Sequence, residues 1–216
     1  MEEKQDKETY WSRFTEDFEE RQSHVVGNEV LLLAHEELLK ETDLGDVLEL
    51  GCGTGLYTET LQKVADNVVA TDLSDEMIAF AKEKRGNLKN VVFQKADALN
   101  LEFNDEAFDT VFMANLIHII GDAERVIQES NRVLKNGGLL IINSFAIDDM
   151  SFFNKMAMGI RYLKTFGKPS AEATKEKTTR KSVEQLLINN GFEISKSLIL
   201  GKKSKAMYIS SRKKFN

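Results

Sequence analysis

A short apolar run ending in three alternating glycines, Val47-Leu48-Glu49-Leu50-Gly51-Cys52-Gly53-Thr54-Gly55, constrains this chain more than any other feature. Apolar residues in near succession, without strict polar alternation, mark a strand buried on both faces of a parallel sheet. In open parallel sheets, ligands bind beyond the carboxyl ends of the strands, where the strand order reverses. Glycine at that end admits positive φ and lets backbone approach a ligand with no Cβ in the way. A plain strand-to-helix turn needs only one glycine, so Gly51, Gly53 and Gly55 are candidate ligand contacts, with Cys52 among them. The dinucleotide spacing G-x-G-x-x-G would need its third glycine where Leu56 stands, and no Gly-Lys-Ser or Gly-Lys-Thr follows to make a P-loop. The loop suits a ligand approached by backbone but not dominated by pyrophosphate.

From this loop onward, strand-like and helix-like segments alternate. Strands are expected at 68–71, 91–94, 109–114 and 138–142, and helices at 55–65, 74–85 and 122–135. Ser74 caps the middle helix and Gly86 follows its end. The third helix runs into Arg132-Val133-Leu134-Lys135-Asn136-Gly137-Gly138, which puts cations at the negative helix end and glycine beyond it. Such alternation implies right-handed crossovers and a doubly wound parallel sheet with helices on both faces. Two helices are expected ahead of it, one over 8–22 with Tyr10, Trp11, Phe14 and Phe18 at helical spacing, the other over 25–40. After a helix near 180–190, Phe192–Leu200 and Ala206–Ser210 are joined by only five residues, Gly201 to Lys205, which makes an antiparallel hairpin.

Charge and cysteine content narrow the partners. A formal net charge of −6 speaks against nucleic acid, because a polyanion must be met by clustered lysine and arginine. The cations Lys196, Lys202, Lys203, Lys205, Arg212, Lys213 and Lys214 follow one another with no acid between them. They read as a solvated strand edge and chain end, where lysine also discourages edge pairing. No apolar run approaches the ~18–20 residues that span a bilayer, and no basic, apolar and small-residue segment opens the chain. No membrane partner and a cytoplasmic location are therefore expected. The single cysteine, Cys52, excludes a disulfide framework, a four-cysteine zinc site and the three-cysteine cluster of radical chemistry. No metal is expected.

Carboxylates stand where a nucleoside would need them. Asp72 ends the second strand and can accept from two vicinal ribose hydroxyls. Asp97, with small Ala98 beside it, closes the third strand and can accept from an adenine amino group. Glu49 is a carboxylate inside a buried strand, which requires a partner, either helix N–H groups or water leading to a ligand ammonium.

The set VLELGCGTG, VVATDLS, FQKADAL, FDTVFMANLIHII and RVLKNGGLLIINS, from about Val47 to Ser144, resembles the class I S-adenosylmethionine-dependent methyltransferases. Within them it is most similar to the small-molecule, ubiquinone/menaquinone methyltransferase branch (methyltransferase type 11/25). The resemblance implies a Rossmann-like, mostly parallel seven-stranded sheet with a terminal antiparallel β-hairpin. It implies S-adenosyl-L-methionine as cofactor and S-adenosyl-L-homocysteine as product. By that resemblance Glu49, Gly51, Cys52, Gly53 and Gly55 line the methionine part, Asp72 holds the ribose, Leu73 packs on adenine, and Asp97 with Ala98 borders it. Asn115 and Leu116 lie near the sulfonium. The chain then divides into a helical lid (1–42), a cofactor-binding core (43–144), a substrate-lid insertion (145–180) and a closing helix and hairpin (181–216), all within one domain.

Methyl transfer from a sulfonium is an in-line displacement in which alignment does most of the work. A general base is needed only for an acceptor that starts protonated. His118 is the candidate, the alternative being a histidine that shapes the loop by bonding backbone. With Pro169 the only proline, the Asp/Asn-Pro-Pro-aromatic motif of enzymes that methylate DNA-base amines is absent. A cysteine nucleophile is improbable with Cys52 in the cofactor loop. A small-molecule acceptor (oxygen, nitrogen, sulfur or activated carbon) is expected on a monomer or homodimer. Its pocket is expected from Tyr10, Trp11, Phe14, Phe145, Phe153 and Met156, and the stretch Lys168–Lys177 is expected to be mobile. Two alternatives stay open at this point. One is a non-catalytic S-adenosylmethionine-binding protein, and the other an RNA or protein methyltransferase using the basic final strands.

Overall fold

The computed structural model describes residues 10, 11, 13–168 and 178–215. Seven strands form one sheet: β1 (Asp46–Leu50), β2 (Asn67–Asp72), β3 (Val91–Lys95), β4 (Phe108–Ala114), β5 (Leu134–Phe145), β6 (Phe192–Leu200) and β7 (Ala206–Lys213). Their order is β3-β2-β1-β4-β5-β7-β6. The first five are parallel, and β7 lies antiparallel between β5 and β6. This is the doubly wound sheet with a closing hairpin that the alternation implies, and the order reverses between β1 and β4. Seven α-helices with both ends among the described residues accompany it: α1 (Phe18–Val26), α2 (Asn28–Leu38), α3 (Thr58–Leu61), α4 (Asp75–Arg85), α5 (Ala123–Val133), α6 (Phe152–Phe166) and α7 (Arg180–Asn189).

The alternation of side chains along each strand splits the core in two. Leu48 and Leu50 of β1, Val111 and Met113 of β4, and Leu140 and Ile142 of β5 point to the face covered by α5 and α7, through Val126, Ile127, Val183 and Leu187. Val47, Val68, Phe112 and Ile141 point to the other, covered by Ala34 and Leu38 of α2, Leu61 of α3, and Ile78 and Ala81 of α4. A third cluster joins Val25, Val26, Val30, Met150, Met158 and Phe166, so the amino-terminal helices pack against the insertion.

Local chemistry sets the helix boundaries. Ser74 Oγ accepts from Met77 N at 3.2 Å, with Asp75 and Glu76 in the first turn of α4 and Lys82, Lys84 and Arg85 in its last. Asp122 caps α5 through Arg125 N at 2.9 Å, and Thr179 and Ser182 form a capping box at the start of α7.

Several boundaries differ from the sequence expectation. The stretch 8–22 is not one helix: a 3-10 turn over Thr15–Asp17 precedes α1, and Val25 and Val26 belong to α1 rather than to the next helix. Gly27, at φ +91°, closes α1 by donating to Ser23 O at 2.8 Å. The helix expected over 55–65 shrinks to α3, because Gly55 N turns back to Cys52 O at 2.9 Å before helical backbone can start. The helix expected over 122–135 stops at Val133, and β5 begins at once. Gly137 and Gly138 do not cap it; they lie inside β5 at the register shift opposite Phe108 and Thr110. Two of the cations expected to be solvated are not: Lys196 pairs with Glu37 at 3.0 Å and Glu41 at 2.9 Å, and buried Lys213 donates to Leu134 O at 2.7 Å.

Phe166 is the anchor of the third cluster: its ring lies 5.8 Å from that of Trp11 and 5.1 Å from that of Phe14. Phe166→Ala is expected to cost about 3–5 kcal/mol locally and to release the segment around Arg13 and Arg21 to trypsin. Unchanged cleavage at those two sites would show that this segment is not held by the ring.

Candidate functional site

Parallel register brings the carboxyl ends of four strands to one edge. Leu50 lies opposite Thr71 on one side and Met113 on the other, and Asp72 lies opposite Lys95. The chain leaves β1 through Gly51, Gly53 and Gly55, all at positive φ. These glycines serve different ends. A Cβ on Gly55 would lie 2.9 Å from Arg85 Cδ and 3.3 Å from Phe93 Cε1, so glycine there is demanded by the protein's own packing. A Cβ on Gly53 would meet nothing closer than Phe18 Cε1 at 3.9 Å, which leaves its backbone accessible to a ligand.

Asp72 organises the loop. Its Oδ2 accepts from Gly53 N at 2.9 Å and its Oδ1 from Ser74 N at 2.9 Å. Leu73 follows in the bend before α4. Ala96 N donates to Asp72 O at 3.0 Å, which ties the third strand's exit to the second's. There Asp97 Oδ1 accepts from Leu99 N at 3.0 Å, and Ala98 packs partly against the sheet core. On the other side of β1, Asn115 adopts φ +55° and donates its N–H to Asn143 O at 2.8 Å, while Leu116 presses on Gly51, 3.1 Å from where a Cβ would stand. A non-glycine residue held at positive φ is an uncommon conformation that concentrates at functional sites.

Beneath the loop lies a buried polar layer. Glu49 Oε2 accepts from Thr58 Oγ1, and Thr71 Oγ1 donates to Glu49 O at 2.7 Å. Burial, reinforced by the Asp72 charge, pushes the Glu49 carboxyl up to about 7 against the opposing pull of the Thr58 bond and Arg85. Asn143 Nδ2 donates to Tyr57 OH at 2.9 Å, while Asn143 Oδ1 is buried with no hydrogen-bond partner. Burial pushes the Cys52 thiol well above its ordinary range, so Cys52 is no nucleophile here. His118 Nδ1 lies 3.0 Å from Ser144 Oγ and its ring 5.0 Å from that of Phe145. Burial lowers its pKa to about 4, so the imidazole is neutral at physiological pH. Among the described residues no cluster of histidine, cysteine and carboxylates could hold a metal ion.

The amino-terminal segment reaches over the loop. Thr54 Oγ1 donates to Glu19 Oε1 at 2.8 Å, Arg85 bonds the same oxygen at 2.9 Å, and Lys84 lies 2.9 Å from Glu19 Oε2. Burial alone would raise the Glu19 carboxyl, but these bonds outweigh it and hold it below the usual range. Tyr10, Trp11 and Phe14 gather on Phe166, with Tyr10 OH donating to Phe166 O at 3.2 Å, so the two segments expected as separate lids touch each other. Phe145 joins this cluster, whereas Phe153 and Met156 lie exposed on α6. The stretch 169–177, which contains most of the expected mobile segment, lies outside the described residues. The sequence pattern does not single out Glu19, Tyr57, Arg85 or Asn143. Asn143 carries the signal that marks Glu49, a polar residue inside an apolar strand.

Comparison with known proteins follows this geometry. A family model described as a methyltransferase domain matches residues 48–142. The phosphatidylethanolamine N-methyltransferase of Cereibacter sphaeroides is 42% identical over 110 residues, covering 48% of this chain and 53% of that protein. The demethylmenaquinone methyltransferase of Staphylococcus aureus (strain MRSA252) is 31% identical over 134 residues, 60% of this chain and 56% of that protein. The chain thus spans about half the length of the curated relatives it matches. The crystal structure of an S-adenosylmethionine-dependent methyltransferase from Aquifex aeolicus superposes with a TM-score of 0.65 at 21% identity, covering 88% of this chain and 92% of that one, a likeness of fold.

Two sets of variants check this geometry. Gly53→Ala should cost only the left-handed backbone term, about 1–2 kcal/mol. Gly55→Ala adds overpacking of a further ~1–3 kcal/mol, so urea melts should rank it the less stable, and the reverse ranking would refute the division of roles. Between 4.5 and about 7 the folded chain holds a proton on Glu49 that the unfolded chain releases, so that residue's contribution to stability falls as pH rises through the window. For His118 the unfolded chain binds the extra proton, and stability is lost as pH falls from 6.5 towards about 4. The melting-temperature advantage of Glu49→Gln over wild type should therefore grow between about pH 5 and about pH 7; a flat difference would mean the carboxyl titrates as if in water.

Proposed function

From the methyltransferase-domain match over residues 48–142 and the relatives named as methyltransferases, we infer that this chain is a class I S-adenosylmethionine-dependent methyltransferase that transfers methyl to a small-molecule acceptor by in-line displacement. One observation carries the reading. The β1 loop is held open-backed at Gly53 by the Asp72 carboxylate, at the point where the strand order reverses. The cofactor, when bound, supplies a methyl group on a positively charged sulfur that a lone pair can displace.

The chain's own residues do the rest. Gly51 and Gly53 accept the amino-acid part against bare backbone, Asp72 takes the ribose hydroxyls, and Asp97 with Ala98 and Leu73 borders the adenine. Glu49 lies below the loop and meets the ammonium end through an intervening polar group; a cation there favours its ionised form. Thr54 and Glu19 close the amino-terminal segment over the loop and keep water out. Tyr10, Trp11, Phe14 and Phe145 offer an apolar and aromatic wall to the acceptor. The curated relatives are named for phosphatidylethanolamine and demethylmenaquinone, both molecules with large apolar parts. An acceptor of that kind fits this wall best. His118, beside Phe145, is the candidate to accept a proton where the acceptor starts protonated. Its burial disfavours the imidazolium, so the role requires negative charge developing on the acceptor beside it.

Calorimetry should register binding of S-adenosylmethionine and S-adenosylhomocysteine and none of NAD; binding of the dinucleotide alone would overturn the assignment. With an acceptor in hand, His118→Ala is expected to lower kcat by roughly 100-fold or more while cofactor affinity stays within about twofold. Parallel loss of cofactor binding would reduce His118 to a loop-shaping residue. Cofactor binding with no S-adenosylhomocysteine released from any acceptor would favour a non-catalytic binding protein instead.

A further inference from the structure

Helix α6 is apolar on two opposite sides. Met158 and Phe166 are buried, Tyr162 is partly buried, and these three face α1. The opposite side is exposed: Phe152 by 73%, Phe153 by 75%, Met156 by 50%, Ile160 by 48% and Leu163 by 54%. At 3.6 residues per turn these five positions fall within roughly 100° of arc, a continuous stripe along the whole helix. Ile147, in the 3-10 turn just before it, is exposed by 47%. Apolar side chains gathered on one exposed face, rather than scattered, mark a contact surface.

Charge states what that surface meets. Helix α6 contains Lys155, Arg161 and Lys164 and no acid, and Lys168 follows it. Lys155 and Lys164 stand on either side of the stripe. Arg161 is turned inward, donating to Val25 O at 3.1 Å. The nearest acids in sequence are Asp148, paired with Lys155 at 3.2 Å, and Asp149. The turn between β6 and β7 lies against the start of the insertion, with Ala146 N donating to Lys205 O at 2.9 Å, and it carries exposed Lys202 and Lys203. From the turn before α1, Asp17 pairs with Arg21, which donates to Thr165 O at 2.7 Å. Exposed cations are Lys164 on the helix and Lys202 and Lys203 on the adjoining turn. Cations beside exposed phenylalanine and long aliphatic side chains have the composition of a helix that lies in a lipid–water interface. No helix among the described residues is long and apolar enough to cross a membrane, so the contact is peripheral.

We propose that the exposed face of α6 docks the protein on the surface of a bilayer containing anionic lipid, with Phe152, Phe153, Met156, Ile160 and Leu163 entering the interface and Lys164, Lys202 and Lys203 meeting lipid phosphates. This goes beyond methyl transfer and stands without it.

The test is flotation of the full chain with vesicles of phosphatidylcholine, with and without phosphatidylglycerol, while S-adenosylhomocysteine calorimetry on the same preparation reports separately on the cofactor site. Binding is expected to the anionic vesicles, to weaken with salt, and to be absent from the neutral ones. Phe152→Ser with Phe153→Ser should abolish flotation with the circular dichroism spectrum and nucleoside affinity retained, and Lys164→Ser with Lys203→Ser should weaken it roughly tenfold or more. Absence of flotation in the wild type, or flotation unchanged by the serine pair, would overturn the proposal. So would a concentration-dependent dimer that the same pair dissolves, since a second copy would then be the occupant.

Discussion

A single carboxylate between two backbone N–H groups holds the carboxyl edge of this protein's parallel strands in shape. Asp72 bonds Gly53 and Ser74 at once, and so fixes the loop after β1 to the start of α4. Charge-assisted bonds of this kind are about twice as strong as neutral ones, which matters because the loop they restrain contains three residues at positive φ. The carboxylate works together with the backbone bond from Cys52 N to Thr71 O at 2.8 Å, which ties the exits of β1 and β2 directly.

The cradle is roofed by a distant part of the chain. Glu19 gathers Thr54, Lys84 and Arg85 around one carboxylate, and the aromatic residues upstream lean on Phe166. Closure of the amino-terminal segment and position of the insertion helix are therefore one structural event. Arg85 is central to both layers: its guanidinium reaches Thr54 O at 2.7 Å while its Cδ lies where a side chain on Gly55 would intrude.

Much of this could be read from the order of residues, for a physical reason. Strands buried on both faces must be apolar without interruption, so β1, β2, β4 and β5 announce themselves, and the glycines and Asp72 at their ends follow. The start of α4, governed by the side-chain cap of Ser74, is equally visible; the Asp122 cap of α5 is not singled out. What stayed hidden is non-local or depends on backbone alone. Nothing near Gly27 says that it ends a helix, since the residue has open space around it and acts through its dihedral angles. The shortness of α3 follows from a turn-back bond at Gly55. Arg85 reads as an ordinary cation at a helix end, and only the fold reveals that Glu19 and Thr54 surround it. The meeting of Tyr10, Trp11 and Phe14 with Phe166 leaves no trace in either stretch alone.

The placement of β7 has a consequence for synthesis. It pairs with β5 along Leu139–Phe145 and supplies the sole partner of β6, yet it is the latest strand to leave the ribosome. At about 5–20 residues per second, that edge of β5 stays unpaired for several seconds after the five parallel strands have emerged. In that interval its open row of N–H and C=O groups is a template for the wrong neighbour.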